Sequence, residues 1–280
     1  MSSRVRIKFI RLAIVLSSLL LDADLSFASA QAKLDAVYDV TLFGFPIGRI
    51  AWTVELRDNR YVAAASGATS GLLRIFSDGH GDVSARGTLS EGQPIASNFA
   101  LKLVAGKWSD EVRILFSGDR AKEYVNAPAR ADPDDVPLTD ANRKGVVDPV
   151  TALLVRIPGA RETVVPEACE RSIAVFDGHT RYNLQLAFKR LDKVKTDTGY
   201  QGPVVVCAVK FFPVAGFNPK RFLITYLAAQ HDIEIWLAPF AGSRLMVPYR
   251  VSIPTRMGLG ILQATKFESI PARSPTTSLN

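Results

Sequence analysis

A chain of 280 residues is long enough for one large domain or two small ones, and 48% hydrophobic with 22% charged residues places it among folded globular proteins. Its formal charge of +7 does not point to nucleic acid, because the Lys and Arg residues stand in ones and twos beside acids, with no basic run or basic helix face. Such a charge supports no more than a mild attraction to anionic surfaces.

The first thirty residues read as an export signal. Arg4, Arg6, Lys8 and Arg11 precede the apolar run Leu12 to Leu21 (LAIVLSSLLL), and Ala28-Ser29-Ala30 supplies a small-x-small cleavage pattern. The run is much shorter than the roughly 20 residues a spanning helix needs, and Asp22 and Asp24 follow it closely. Cleavage before Gln31 is expected rather than retention as an anchor, with no stable membrane span afterwards. This leaves a single β-rich domain over 31–270 and a disordered polar tail over 271–280. The first cysteine of the chain is Cys169, so none stands at the cleavage point to carry a lipid. The periplasm is the expected compartment, with secretion as the second choice.

From Tyr38 onward the dominant period is two. Tyr38-Val40-Leu42, Ile50 to Arg57 (IAWTVELR), Val112-Ile114-Phe116, Tyr182 to Phe188, Ile233-Ile235-Leu237 and Val247 to Ile253 alternate bulky apolar with small or polar residues, as half-buried strands do. Turn residues such as Gly44 to Gly48 and Arg57-Asp58-Asn59-Arg60 lie between many of them, which predicts a meander rather than βαβ units. Val204 to Phe212 (VVVCAVKFF) and Phe222 to Ala229 (FLITYLAA) are apolar on both faces and read as strands covered on both sides. The clearest helix is DPVTALLVRI, residues 148–157. Asp148 suits the N-cap, Pro149 the first helical position, and Val150, Leu153, Leu154 and Ile157 follow at helical spacing before Pro158-Gly159. A second short helix is read over Thr69 to Phe76. Ala127 to Asn142 has three prolines and four aspartates, and 127–147 reads as a surface loop or a linker joining an N-terminal and a C-terminal half.

The stretch CERSIAVFDGHTRYNL, residues 169–184, concentrates the rarest chemistry of the chain. Asp177-Gly178 between two alternating runs predicts a hairpin with a two-residue type I′ turn, leaving His179 and Arg181 solvated. A His179/Asp177 acid–base pair is the weaker reading. The two cysteines, 38 positions apart and both in expected strands of an exported chain, invite a Cys169–Cys207 disulfide, with two buried free thiols as the alternative. His80, His179 and His231 stand far apart, without zinc-ligand spacing. The serine of Gly67-Ala68-Thr69-Ser70-Gly71 is one place late for a nucleophile elbow. The aspartates of 132–140 do not form a calcium loop, and Gly79-His80-Gly81 is too short a glycine motif to cradle phosphate. No catalytic residues, metal site or cofactor are expected.

The ordered set of features has a family likeness. Tyr38 to Gly48, Asp148-Pro149 with the apolar run after it, Cys169 with Val175-Phe176-Asp177-Gly178, Cys207 with Pro213 to Phe217, Ile235-Trp236-Leu237, Val247-Pro248-Tyr249-Arg250 and Gly258 together resemble the domain-of-unknown-function family 3108, over nearly all of 36–269. The resemblance implies an exported alphaproteobacterial envelope protein without an assigned reaction. It also implies a curved antiparallel sheet similar to the half-barrel of LolA/LolB lipoprotein carriers, with one or two short helices packed on it. The resemblance leads to the expectation of arginine where this chain has His179.

Three functions fit these features. The first is a non-catalytic protein that holds a lipid, an acyl chain or another hydrophobic envelope component in a groove lined by Trp52, Phe99, Phe188 and Trp236. The second is a structural or partner-binding envelope protein with a filled core and no small-molecule ligand. The third is an enzyme whose polar residues converge only in space.

Overall fold

The computed structural model describes residues 32–71, 78–128, 132–159 and 163–271. The export signal, nearly all of the 271–280 tail and most of the helix read over Thr69 to Phe76 lie outside the described residues.

Among the described residues, seven strands come first: β1 (Ala32–Leu42), β2 (Phe45–Arg57), β3 (Arg60–Thr69), β4 (Gly79–Ser90), β5 (Gln93–Ala105), β6 (Trp108–Ser117) and β7 (Arg120–Ala127). After a long connection come β8 (Val155–Arg156), β9 (Arg171–Phe176), β10 (Arg181–Lys195), β11 (Thr198–Gly199) and β12 (Gln201–Ala215). The helix α1 (Phe222–Ala228) and the strands β13 (Ile233–Phe240), β14 (Leu245–Thr255) and β15 (Gly258–Ile270) complete the fold. The strands form one antiparallel meander in the order β7-β6-β5-β4-β3-β2-β1-β15-β14-β13-β12-β10-β9, with β8 added beside β14 and β11 in parallel beside β15. Both halves of the chain share this sheet because the first strand pairs with the last, from Lys33 opposite Ile270 to Leu42 opposite Gly260.

Tight turns set the registers. Asp58 and Asn59 both take positive φ (47° and 58°), as do Glu91 and Gly92 (51° and 78°), the backbone that two-residue hairpins matched to strand twist require. The Asp177-Gly178 hairpin exists, but as a four-residue link. Arg181 pairs with Phe176, and the Asp177 carboxylate accepts the backbone N–H groups of His179 and Thr180 at 2.9 and 2.6 Å. This side-chain cap replaces the two-residue turn.

The sheet curves further than a half-barrel and closes nearly into a barrel. Its edge strands β7 and β9 are bridged by the segment 144–147: Val146 N–H donates to the Asp119 carbonyl, and Val147 exchanges backbone bonds with Ala174 and Phe176. Tyr124 of β7 and Phe176 of β9 meet edge-to-face across this seam, with ring centres 5.3 Å apart.

Inside lies the main core, with Leu34, Tyr38, Trp52, Val54, Tyr61, Ile114 and Phe267 among its buried residues. Outward positions carry the ion pairs Lys33–Asp35, Asp39–Arg49, Glu55–Arg57, Glu111–Arg113 and Lys266–Glu268. Apolar inside and charged outside is the reverse of an outer-membrane barrel. Among the described residues, no helix is long and apolar enough to cross a membrane. The strands β12 and β13 are clad on both faces. Val204, Val206, Trp236 and Ala238 face the main core, while Val205, Cys207, Ile235 and Leu237 face a second cluster with Ala168, Cys169, Val155 and Ile157. The two-sided apolarity of Val204–Cys207 follows from this position. Cys169 and Cys207 are joined by a disulfide inside that second cluster.

Two element assignments are corrected. The 148–157 segment is not an α-helix but a turn with one 3₁₀ turn at Thr151–Leu153, followed by β8. The Asp148 carboxylate does cap it, accepting the backbone N–H groups of Val150 and Thr151 at 2.9 and 2.8 Å. The helix stops there because Val155 and Arg156 pair with Met246 and Leu245 of β14, and Ile157 N–H donates to the Arg244 carbonyl. Val150, Leu154 and Ile157 are nonetheless buried. Conversely, Phe222 to Ala229 is no strand: α1 lies beside β12 and buries none of its residues. Asn218, whose side chain accepts the Lys220 N–H at 2.8 Å, turns the chain into it.

Candidate functional site

The strands run between a filled end and an open one. The turns at 58–59, 91–92 and 118–119 mark the filled end, and the open end gathers the β1–β2 and β5–β6 turns, residues 132–138, the link 177–180, and α1. Two cavities lie at the open end and share Leu101 as a common wall.

The first has a volume of about 390 Å³ and is walled by β1 to β6. Its apolar surface comes from Val40, Ile50, Val83, Leu101, Leu103 and Trp108. Space exists there because residues in register with the buried core are small. On β3, Tyr61 and Ala63 are buried at the filled end, and Ala65 and Gly67 follow on the same face at the open end. On β2, Trp52 and Val54 give way to Ile50 and Gly48.

The second cavity, about 940 Å³, is the more polar of the two, lined by charged and apolar side chains alike. Asp110 of β6, Asn126 of β7, Asp132 and Asp135, the Asp177–Thr180 link, and Arg221 with Leu223 and Ile224 enclose it. Residues 132–138, in the connection that reads as a loop or linker, cover it from one side. Val136 and the stretch after β12 exchange backbone bonds, Val136 N–H to the Phe217 carbonyl at 2.9 Å and Gly216 N–H to the Val136 carbonyl at 2.7 Å. Gly216 has φ +75°, and a Cβ there would collide with the His179 carbonyl, so only glycine lets these segments meet. Asp132 accepts from Asn218 at 3.0 Å and from Arg221 at 3.2 Å, and these bonds hold its carboxyl below the usual range.

His179 is not solvated. One ring nitrogen lies 3.1 Å from Asp110 Oδ1 and the other 3.2 Å from Asn126 Nδ2. With Asn126 donating to Nδ1, the proton sits on Nε2 and faces Asp110. Both nitrogens are therefore engaged, and the neighbouring Thr180 hydroxyl donates to the Gly216 carbonyl at 3.3 Å. Asp177 serves the backbone, not the ring, and burial pushes its carboxyl up. This cluster ties β6, β7 and the β9–β10 link together across the seam. The two cysteines stand apart from it, joined in the disulfide. Among the described residues, no group of three His, Cys, Asp or Glu side chains could hold a metal ion. Asp110 stands 69 positions from His179, so no spacing rule could have paired them.

The four aromatic residues read as a groove do not meet in one. Trp52, Phe99 and Trp236 are 5%, 3% and 8% exposed and fill the main core. Trp236 is further held by the guanidinium groups of Arg190 and Arg250, 5.3 and 4.8 Å from its ring. Phe188, 40% exposed, stands opposite Cys207 and so shares its outer face. None of the four lines either cavity. Large side chains fill space; the cavity lies where inward residues are small.

No curated protein matches this chain. Among solved structures it is similar to a beta-barrel-like protein of domain of unknown function DUF1849 from Brucella abortus, with 9% identity and a TM-score of 0.48 over 85% of this chain and 98% of that one. The family model for a protein of unknown function, DUF3108, matches residues 37–265, and the chain belongs to that family.

Proposed function

We propose that this protein is an exported, non-catalytic carrier that holds a lipid, an acyl chain or a comparable hydrophobic molecule in the open end of its barrel. The observation that carries this reading is the unfilled apolar cavity of about 390 Å³ beside a polar chamber. Its size falls in the range of small-molecule pockets, and its two-part polarity suits a greasy molecule with a polar end. Export is supported by the Arg-rich start, apolar run and Ala28-Ser29-Ala30 pattern, and by the Cys169–Cys207 bridge, of the structural kind typical of oxidising compartments.

Native mass spectrometry with lipid extraction of the purified protein tests the reading, together with titration of a fluorescent fatty acid. Wild-type protein should take up the probe, and Leu103→Glu and Ala65→Phe should each lose it, the first by charging the wall and the second by filling the space. Circular dichroism verifies that both variants remain folded. Wild-type protein that carries no lipid and ignores the probe would remove the carrier reading in favour of a structural or partner-binding role.

A further inference from the structure

Around the open end, large apolar side chains protrude from three separate elements. Phe43 (70% exposed) and Phe45 come from the β1–β2 turn, Met257 (70% exposed) and Leu259 from the β14–β15 turn, and Phe222 and Leu223 from α1. They form one arc. Phe43 N–H donates to the Leu259 carbonyl at 3.0 Å, Phe43 and Phe45 lie 6.5 Å apart by ring centres, and Arg256 sits 4.9 Å over the Phe222 ring. Leu223 then lines the polar chamber, so the arc runs to the cavity mouth. Exposed apolar side chains scattered singly need no explanation, but a contiguous set at turn tips does.

Phe43 adds an argument of its own. It occupies the left-handed region at φ 52°, where asparagine, aspartate or glycine is favoured and a bulky residue is an outlier. The turn at 58–59 fills the equivalent places with Asp and Asn. The β1–β2 turn therefore keeps a strained, solvent-facing aromatic ring where a polar residue would sit more easily. Gly258 opposite makes room for that ring, since a Cβ there would collide with it. Strain retained at a surface tip points to a contact made by the side chain.

We propose that this arc docks the open end onto an anionic lipid surface, inserting the Phe43 and Met257 tips among the headgroups so that the mouth faces the bilayer. A membrane fits better than a protein face because the protruding groups come from two turn tips and the start of α1, spread along an arc rather than gathered in a groove. Charge agrees with this. Arg256 lies within the arc without a carboxylate partner among the described residues, and the chain left after loss of residues 1–30, which carry four basic and two acidic residues, is formally +5. Apolar tips flanked by a cation are what an interfacial anchor needs.

The test is vesicle flotation with phosphatidylglycerol–phosphatidylethanolamine vesicles, and with phosphatidylcholine vesicles as the uncharged control. Wild-type protein should float with the anionic vesicles, and less so as salt rises. The double variant Phe43→Asn/Met257→Gln should partition at least about tenfold more weakly, the scale expected from withdrawing one large apolar side chain from the interface. Asparagine suits the left-handed turn, so the variant should stay folded. Its uptake of a fluorescent fatty acid in vesicle-free buffer should match wild type, so failure of docking and failure of the carrier reading are told apart. Wild-type protein that remains in the buffer, or a double variant that floats equally well, would overturn the proposal. So would a wild-type dimer in sedimentation that the double variant dissolves, since the arc would then be a self-association surface.

Discussion

Along β1 to β5 the inward-pointing side chains change character from one end of the barrel to the other. At the filled end, Leu34, Trp52, Val54 and Tyr61 interlock and exclude solvent. At the open end the same faces of the same strands carry Val40, Gly48, Ala65 and Gly81, and a cavity remains. Backbone pairing is continuous through both. Whether a barrel is a core or a container is thus decided by side-chain volume along each strand and not by topology. Stability and binding should accordingly divide between the two ends.

The largest expected effect is at the filled end. Trp52→Ala should cost about 3–5 kcal/mol, the range for truncating a buried aromatic residue. Leu103→Ala, at a half-buried cavity wall, should cost about 1 kcal/mol. Urea unfolding of the two variants compares them directly, and equal losses would break the division. Replacing both cysteines by alanine should cost about 4 kcal/mol on the chain-entropy account of a bridge spanning 38 positions. Because the bridge lies in the outer cluster, that variant should take up the fatty-acid probe like wild type while it is folded.

A smaller effect concerns pH. Asp148 is buried, and burial pushes its carboxyl up to about 6 despite the bonds it accepts from Thr151 and the backbone. The folded state therefore holds this proton more tightly than the unfolded state does. The stabilisation is complete below the unfolded value and is lost as pH rises through the folded one, from about 4 to about 6. Asp148→Asn should flatten this slope by up to roughly 3 kcal/mol, at about 1.4 kcal/mol for each pKa unit. Asp177, shifted in the same direction, remains in the variant, so the difference between the two urea midpoint–pH curves reports Asp148 alone. Parallel curves would show that Asp148 is not the source. The smallest change is expected from Phe43→Asn alone, which should leave stability unchanged or raise it by about 0.5–1 kcal/mol through relief of the left-handed strain. A clear loss in thermal melting would show that the ring supports the fold.

The meander was legible because period-two alternation and turn residues such as Asp58-Asn59 are local signals. One segment read as a helix and one read as a strand show where local signals mislead. Asp148-Pro149 and Asn218-Pro219 are the same kind of start signal, an Asx residue followed by proline. The first yields a single 3₁₀ turn, because the Val155–Arg156 stretch that follows is captured by β14. The second opens α1 in spite of the β-favouring Phe, Ile, Thr and Tyr within it, because that segment lies against β12 without pairing to it. In the first, tertiary pairing outweighed propensity; in the second, a segment with no strand to pair with took the helix against its β-favouring residues. The cavity was missed for a different reason. Large residues do not mark it, because Trp52, Phe99 and Trp236 fill the core and Phe188 lies on the outer face. Its trace in the sequence is the run of small ones, Ala63 to Ala68, with Gly79 and Gly81. The Asp110–His179–Asn126 cluster left no trace, since it joins residues far apart along the chain.

The pairing of the first strand with the last has a kinetic consequence. Thr265 of β15 donates to the Val37 carbonyl across 228 positions, so β1 must wait for the end of the chain to be synthesised before its second ladder can form. Until then β1 is an open edge on a growing sheet, able to pair with whatever strand arrives. Contacts of such sequence separation slow folding, and loss of β15 leaves that edge permanently bare. A chain truncated before Gly258 should therefore accumulate as aggregates, whereas one truncated after Ile270 should fold at the rate of the full-length protein.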